Sequence, residues 1–324
     1  MAIQDKFYLG IDLGGTKILA AVVDQDGNPL GESTMVTPAD KNAEEIADSI
    51  LAASMDVIQI TGVGFSSIAG TGIATAGGID FSDGIVVESP NLKSLNGLSL
   101  VNLLKAKLPM PLSIINDADA AVLAEYRLGS GIGAINLIYI TISTGIGGGL
   151  VLNGELYRGS NGLAAEIGHM TIISGGPDCS CGRQGCLEAL SSGTALAREA
   201  RAQLKRGEPS LLQKYSSENG VQSITAELIF LAESKGDKLS RYLIQQAASH
   251  LGTGLKNLVN IFAPDRIVIG GGLSNQWPTY VAPAVKVMRE DAFADLGRHL
   301  RVLPSHLGQK SGAIGAAIIA ASGV

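Results

Sequence analysis

The chain has 324 residues, of which 46% are hydrophobic and 17% charged, and its formal net charge is −6. This composition is typical of a folded globular protein, and the length is sufficient for two domains. The acidic balance and the lack of a basic patch argue against nucleic acid as a partner, and no signal-peptide pattern or long apolar run is present, so we expect a cytoplasmic protein.

Residues 7–24, with the sequence FYLGIDLGGTKILAAVVD, predict a strand, a tight turn and a second strand. Gly14 and Gly15 allow backbone N–H groups to face an anion, and Asp12 stands at the strand end, where a carboxylate could hold Mg²⁺ through water. A plain β-hairpin with glycine turn residues explains the same pattern. The segment is not a Walker A loop, because the GxxxxGK[ST] pattern is absent.

The next polar residues of interest follow a helix predicted at 43–55 and a buried strand and turn at 68–80. Asn91 lies in a loop without periodicity. Further along, four apolar or β-branched residues run up to Asn116 and Asp117, and a helix-favouring stretch follows. Either residue could simply cap that helix. Both together at the end of a buried strand, facing a glycine-rich turn, indicate a functional site.

Residues 137–152, with the sequence LIYITISTGIGGGLVL, repeat the plan of strand, glycine-rich turn and strand. Thr144, Gly145 and Gly147 lie in or next to this turn. Such a duplication suits a two-lobed phosphotransferase, in which one glycine turn from each lobe contacts the phosphates. A dinucleotide-binding GxGxxG loop is excluded, since a strand and not a helix follows the glycines.

The three cysteines of the chain fall within eight residues, at Cys179, Cys181 and Cys186, and His169 lies just upstream. Three thiolates and an imidazole on short glycine-containing turns form a tetrahedral zinc site. Three ordinary buried thiols are the alternative. The intervening Ser, Gly, Arg and Gln are not core residues and favour zinc. Four protein ligands leave no open position, so we expect a structural ion.

Two carboxylates bracket this cluster, Glu166 before the histidine and Glu188 after the last cysteine. A metal that fixes the loop would also fix both side chains, and fixed acceptors are what selection among sugar hydroxyls requires. Surface solvation would explain either glutamate alone.

The remainder of the chain is predicted to be mostly helical. In order, we expect a helix at 187–206, a polar surface segment at 207–220, a helix starting near Thr225, a long helix at 238–262 that Pro264 ends, a buried strand entering the triple glycine 270–272, and a small-residue helix at 308–324.

Two of these motifs, ExGH at 166–169 and CxCGxxGCxE at 179–188, resemble the signature of the ROK family of repressors, open reading frames and kinases. The DxGGT at 12–16 is similar to the first phosphate motif of actin-like ATPases and sugar kinases. The resemblance covers nearly the whole chain and implies an α/β, two-lobed actin-like ATPase (ribonuclease H-like) fold with duplicated βββαβα-type domains. It places residues 1–116 and about 305–324 in a small lobe and 117–304 in a large lobe.

The resemblance also implies residue roles, with Asp117 as the catalytic base. It assigns sugar contacts to Asn91, Asn116, Asp117, Glu166, His169 and Glu188. It assigns nucleotide contacts to Asp12, Gly14, Gly15, Thr16, Lys17, Thr144, Gly145, Gly147, Gly271 and Gly272. The implied cofactors are ATP, Mg²⁺ and structural Zn²⁺, and a homodimer is a family expectation.

The activity that the resemblance implies is ATP-dependent phosphorylation of the 6-hydroxyl of glucose, in carbohydrate metabolism. N-acetylmannosamine, N-acetylglucosamine and fructose kinases of the same family are the alternatives. A transcriptional repressor would carry a helix-turn-helix before the first phosphate motif, for which we expect no room here, and a silent sugar sensor would not require intact Asp12 and Asp117. Two positions depart from the usual family pattern, Ala76 in place of proline and Ala165 in place of glycine.

Overall fold

The computed structural model describes residues 6–81, 83–89 and 91–322, with the side chains of all of these except 217–219. The strands are β1 Phe7–Leu13, β2 Lys17–Val23, β3 Pro29–Val36, β4 Ile68–Thr75, β5 Gly78–Asp80, β6 Ile85–Glu88, β7 Leu98–Ser99, β8 Leu112–Asn116, β9 Leu137–Ile142, β10 Ile146–Leu152, β11 Glu155–Leu156, β12 Arg266–Gly270 and β13 Arg301–Pro304. The α-helices are α1 Ala43–Thr61, α2 Leu100–Lys105, α3 Asp117–Leu128, α4 Leu187–Ser191, α5 Gly193–Lys205, α6 Leu212–Asn219, α7 Ala226–Ser234, α8 Lys238–Phe262, α9 Ala282–Asp291 and α10 Ser311–Ser322.

Two five-stranded sheets have the same strand order. The first is β3-β2-β1-β4-β8 and the second is β11-β10-β9-β12-β13, so each follows the order 3-2-1-4-5 in its own numbering. In the first sheet, β1 pairs antiparallel with β2 and parallel with β4. A small antiparallel sheet is formed by β5, β6 and β7. The duplication predicted from the two glycine-rich hairpins is therefore confirmed at the level of sheet topology.

The chain forms two compact units. Unit 1 contains the described residues up to 139, together with 149–165 and 305–322, and unit 2 contains 140–148 and 166–304. Strands β9 and β10 each have residues in both units, so this division does not correspond to a boundary between two lobes. The lobe boundary predicted near residue 117 accordingly stays a prediction.

In unit 1 the first sheet packs α1 on one face and α10 on the other. Side chains alternate between the faces of β1, so Ile11 enters the core on the α1 side. On the other face, a methyl group at Gly10 would overlap the carbonyl oxygen of Ala313, and one at Gly72 would overlap that of Ala316. These bare positions allow the backbone of α10 to lie directly on the sheet.

Local signals placed the starts of two helices correctly. Asn42 and Glu45 form a capping box at the start of α1, which continues six residues beyond the predicted end, to Thr61. Asp237 accepts the N–H of Ser240 at 2.7 Å and begins α8 at the predicted residue. None of the helices in the described ranges combines the length and the apolar character that a membrane span requires.

One prediction for unit 2 requires correction. The helix expected at 187–206 is interrupted at Ser192, whose extended backbone ends α4 and whose hydroxyl accepts the N–H of Ala195 to begin α5. The side chains described in the stretch 207–220 are mostly exposed, as predicted, and the stretch contains α6, in which Leu212 is fully buried.

Candidate active site

The first glycine turn, residues 14–17, joins β1 and β2. The N–H of Gly14 donates to the carbonyl oxygen of Lys17 at 3.0 Å. The hydroxyl of Thr37 donates to the carbonyl oxygen of Gly14 at 2.7 Å. Thr16 at the tip is exposed. The predicted strand, turn and strand are confirmed, while phosphate binding at the turn stays a prediction.

Two carboxylates of unit 1 share one electrostatic environment. Asp12 lies near the end of β1, and Asp117 is the first residue of α3. Burial and, secondly, the negative charge of Asp117 raise the pKa of Asp12 to about 7, while the Lys17 ammonium opposes this shift. A methyl group at Gly312 would lie 2.6 Å from Oδ2 of Asp12, so a bare backbone position gives this carboxylate its space. A cation would favour the ionised form of Asp12, as a Mg²⁺ site requires.

The two asparagines predicted to contact sugar lie in different surroundings within unit 1. Asn116 caps α3, because its Oδ1 accepts the N–H of Ala118 at 2.9 Å. Its Nδ2 separately donates to the carbonyl oxygen of Gly77 at 3.2 Å. Asn91 lies against the first glycine turn, where a methyl group at Gly15 would lie 2.7 Å from its Cβ. The capping role left open for Asn116 is therefore real, and it also fixes the start of α3.

The second glycine turn, residues 143–145, lies in unit 2. The Ser143 N–H donates to the Gly145 carbonyl oxygen at 2.9 Å. The first N–H groups of α5, at Gly193 and Thr194, donate to the carbonyl oxygens of Ser143 and Thr144 at 2.9 and 3.2 Å. The turn is thus attached to the start of α5.

The glycines after β12 pack beside this turn. Gly271 has φ +83°, and a methyl group there would overlap the backbone of Ile142, while one at Gly272 would lie 3.9 Å from the Ser143 hydroxyl. A positive φ and a close backbone contact together require glycine at 271. Gly147 is half-buried in β10. The structure therefore places four predicted nucleotide contacts of unit 2 near one another: Thr144, Gly145, Gly271 and Gly272.

His169, Cys179, Cys181 and Cys186 converge, with their ligand atoms all within 4.8 Å of one another. The Sγ atoms of Cys181 and Cys186 are 3.8 Å apart, and Sγ of Cys179 is 3.6 Å from Nδ1 of His169. Tetrahedral zinc with Zn–S of about 2.3 Å and Zn–N of about 2.0–2.1 Å separates two sulfurs by about 3.8 Å and a sulfur from a nitrogen by about 3.6 Å. The donor set and its spacing fit Zn²⁺.

The thiols also need a cation to ionise together. Burial and the neighbouring thiols Cys179 and Cys181 raise the pKa of Cys186 to about 12. A metal ion reverses this effect, since a coordinating thiol is deprotonated.

The carboxylates that bracket the cluster have distinct partners. Glu166 is exposed, and its Oε2 lies 3.9 Å from Nε2 of His169, the ring nitrogen that faces away from Cys179. With Nδ1 at the metal position, Nε2 is the nitrogen left for a ligand hydroxyl. Glu188 is half-buried, and its two oxygens accept the Ser180 hydroxyl at 3.1 Å and the Ile146 N–H at 2.9 Å.

These features were compared with known proteins. A model of the ROK family matches residues 8–322. The chain belongs to the ROK family. It is 34% identical over 317 residues to a glucokinase of Streptomyces coelicolor, and the match covers 96% of each chain. It is 32% identical over 314 residues to an N-acetylmannosamine kinase of Escherichia coli, covering 96% of this chain and 97% of the relative.

Solved ROK structures agree with the topology described above. A ROK family glucokinase from Streptomyces griseus, in complex with glucose and AMPPNP, has a TM-score of 0.82 and 33% identity, and the match covers 98% of this chain and 99% of that one. The actin-like ATPase fold expected from the sequence is confirmed.

Three residues that contact the predicted site residues were not predicted from the sequence. Ser180 occupies a position inside the CxC motif that the motif leaves open, and Thr37 lies far along the chain from the turn that it supports. Gly312 belongs to a run of small residues that predicts a helix but no contact with Asp12. Hydrogen bonds and close packing identify these residues, and both depend on the folded chain.

Ala165, which replaces the glycine usual before the ROK ExGH motif, adopts a left-handed backbone conformation with φ +63°. This conformation costs an L-residue with a side chain about 1 kcal/mol or more of free energy, whereas glycine adopts it without that cost. The backbone before Glu166 therefore carries local strain at Ala165.

Replacing Ala165 with glycine is expected to raise the free energy of unfolding by about 0.5–1 kcal/mol, because relief of the strained φ exceeds the added entropy of the unfolded chain. Denaturant unfolding monitored by circular dichroism measures this. Ala164→Gly is the matched control, since Ala164 is not among the residues with positive φ, and it should lower the free energy of unfolding. Equal destabilisation by both changes would contradict the assignment of strain.

Proposed function

We propose that this ROK sugar kinase transfers the γ-phosphoryl group of ATP to the 6-hydroxyl of glucose. The observation that carries the proposal is that the charge of Asp117, the first residue of α3, acts on Asp12, which precedes the first glycine turn. A carboxylate base next to a cation-binding carboxylate is the arrangement that phosphoryl transfer to an alcohol requires.

Asp117 accepts the proton of the attacking hydroxyl, a role that contributes about 10²–10⁴ in rate. Its position is fixed by the Asn116 cap, which holds the first turn of α3. Asp12 would hold Mg²⁺, and the ion would neutralise the charges of the phosphates. The two glycine turns, the first of which ends at Lys17, supply backbone N–H groups for the triphosphate.

Hydroxyl recognition is assigned to Asn91 and Asn116 in unit 1, and to Glu166, His169 and Glu188 in unit 2. Structural Zn²⁺ bound by His169 and the three cysteines would hold the unit 2 residues in place, because Nδ1 of His169 faces the cluster while Nε2 faces Glu166. Fixed acceptors discriminate between hydroxyl patterns more sharply than mobile ones.

A panel of hexoses in an ADP-release assay tests the substrate. Glucose is expected to give the highest kcat/KM, with mannose, N-acetylmannosamine, N-acetylglucosamine and fructose as competitors, and position-specific analysis of the product should place the phosphate at carbon 6. A glucose analogue without the 6-hydroxyl is the matched control and should bind without turnover. A higher kcat/KM for N-acetylmannosamine would contradict the glucose assignment and leave the kinase class intact, since relatives of both specificities are about equally similar.

A further inference from the structure

The segment 168–188, which contains the Cys/His cluster, contacts Ile146 at both of its ends. Ile146 directly follows the second glycine turn. The Ile146 N–H donates to Oε2 of Glu188 at 2.9 Å. A methyl group at Gly168 would overlap the Ile146 carbonyl oxygen. Gly168 immediately precedes His169, and Glu188 follows Cys186 by two residues. Residues one and two positions away from members of the cluster therefore contact one residue of β10.

The Glu188 carboxylate is fixed at both of its oxygens. Oε1 accepts the hydroxyl of Ser180, which lies between the first two cysteines, at 3.1 Å. Oε2 lies so close to the turn that a methyl group at Gly145 would overlap it. Oε1 therefore contacts the loop between Cys179 and Cys181, and Oε2 contacts the start of β10 and the second glycine turn.

A second connection runs along the backbone. Helix α4 begins directly after Cys186, and the stretch that follows it donates the N–H groups of Gly193 and Thr194 to the carbonyl oxygens of the second glycine turn at 2.9 and 3.2 Å. A shift of Cys186 would therefore act on the turn through both the Glu188 side chain and this backbone segment.

We propose that Glu188 is a positioning residue for the second glycine turn, oriented by Ser180, and that it makes nucleotide binding depend on the order of the Cys/His cluster. This role is additional to the hydroxyl contact assigned to Glu188. The part that concerns the nucleotide rests on the proposed kinase function, whereas the part that concerns the turn does not.

Ser180→Ala tests the proposal, with Ser174→Ala as the matched control. Both serines are exposed and belong to the same loop, and neither is assigned to catalysis or binding. In the zinc-loaded protein, S180A should keep the wild-type zinc content and show amide exchange at Ile146 faster by about three- to tenfold, the effect of one lost hydrogen bond. The Kd for AMPPNP, measured by calorimetry, should rise by a similar factor. S174A should match the wild type in all three measurements.

Removal of the metal with a chelator should accelerate exchange at residues 143–146 in the wild type. Exchange in S180A equal to that in S174A, or loss of zinc from S180A, would overturn the positioning role of Ser180 and Glu188. Faster exchange with an unchanged Kd for AMPPNP would overturn the link to the nucleotide. Failure of every hexose to be phosphorylated would contradict the proposed function, and the exchange and zinc measurements would still decide the positioning role.

Discussion

Replacing Asp117 with asparagine is expected to lower the rate of phosphoryl transfer at least about a hundredfold while the fold and sugar binding are retained. Asparagine has nearly the same shape and can follow Asn116 at the start of α3, but it cannot accept a proton at neutral pH. Rapid-quench measurement of a single turnover, at saturating ATP and sugar, isolates the chemical step. Sugar affinity is measured separately by calorimetry.

The Asp117 substitution has a second expected consequence at its neighbour. The charge of Asp117 is one of the two causes that raise the pKa of Asp12 to about 7, so the pKa of Asp12 should fall when that charge is removed. Asp83→Asn, which changes an exposed carboxylate of the same unit, should affect neither the rate nor this pKa. Turnover near the wild-type rate in the Asp117 variant would refute the assignment of the base.

Replacing Glu125 with alanine is expected to lower the free energy of unfolding by about 3–5 kcal/mol, because it removes the acceptor of several part-buried donors and leaves a cavity where a fully buried side chain was. Glu125 is fully buried near the end of α3. Its carboxylate accepts the Ser305 hydroxyl at 2.6 Å and the N–H groups of Ser130, His306 and Leu307 at 2.8, 3.2 and 2.9 Å. One side chain thus joins the helix that carries Asp117 to the segment leading into α10.

Denaturant unfolding measures the effect of Glu125→Ala on the free energy of unfolding. A conservative variant and a control variant are measured beside it. Glutamine retains one accepting oxygen but presents N–H groups to the other donors, so Glu125→Gln should cost about half as much as alanine. Glu155→Ala removes an exposed carboxylate of the same unit and should change the free energy of unfolding by less than about 0.5 kcal/mol. Similar stability for the Glu125→Ala and Glu155→Ala variants would contradict the structural role.

The features predicted correctly from the sequence are those encoded over short distances. The spacing of Cys179, Cys181 and Cys186 restricts where the sulfurs can lie, and His169 is close enough in the chain to join them. Asp237 marks the start of α8 because a cap needs only the next three residues. The strand, turn and strand predicted at each glycine motif are present as β1 and β2 and as β9 and β10.

What only the tertiary structure decided are contacts between residues far apart in the chain. Glu125 is separated from Leu307 by 182 residues, and Ile146 from Glu188 by 42, so no periodicity or motif relates the members of either pair. The break at Ser192 belongs here as well, since the segment there turns to donate N–H groups to the second glycine turn. Hydrophobic patterning determines which elements form. The hydrogen bonds between elements depend on how those elements pack. Packing decides which polar groups are buried, and a buried polar group is costly unless it finds a hydrogen-bond partner.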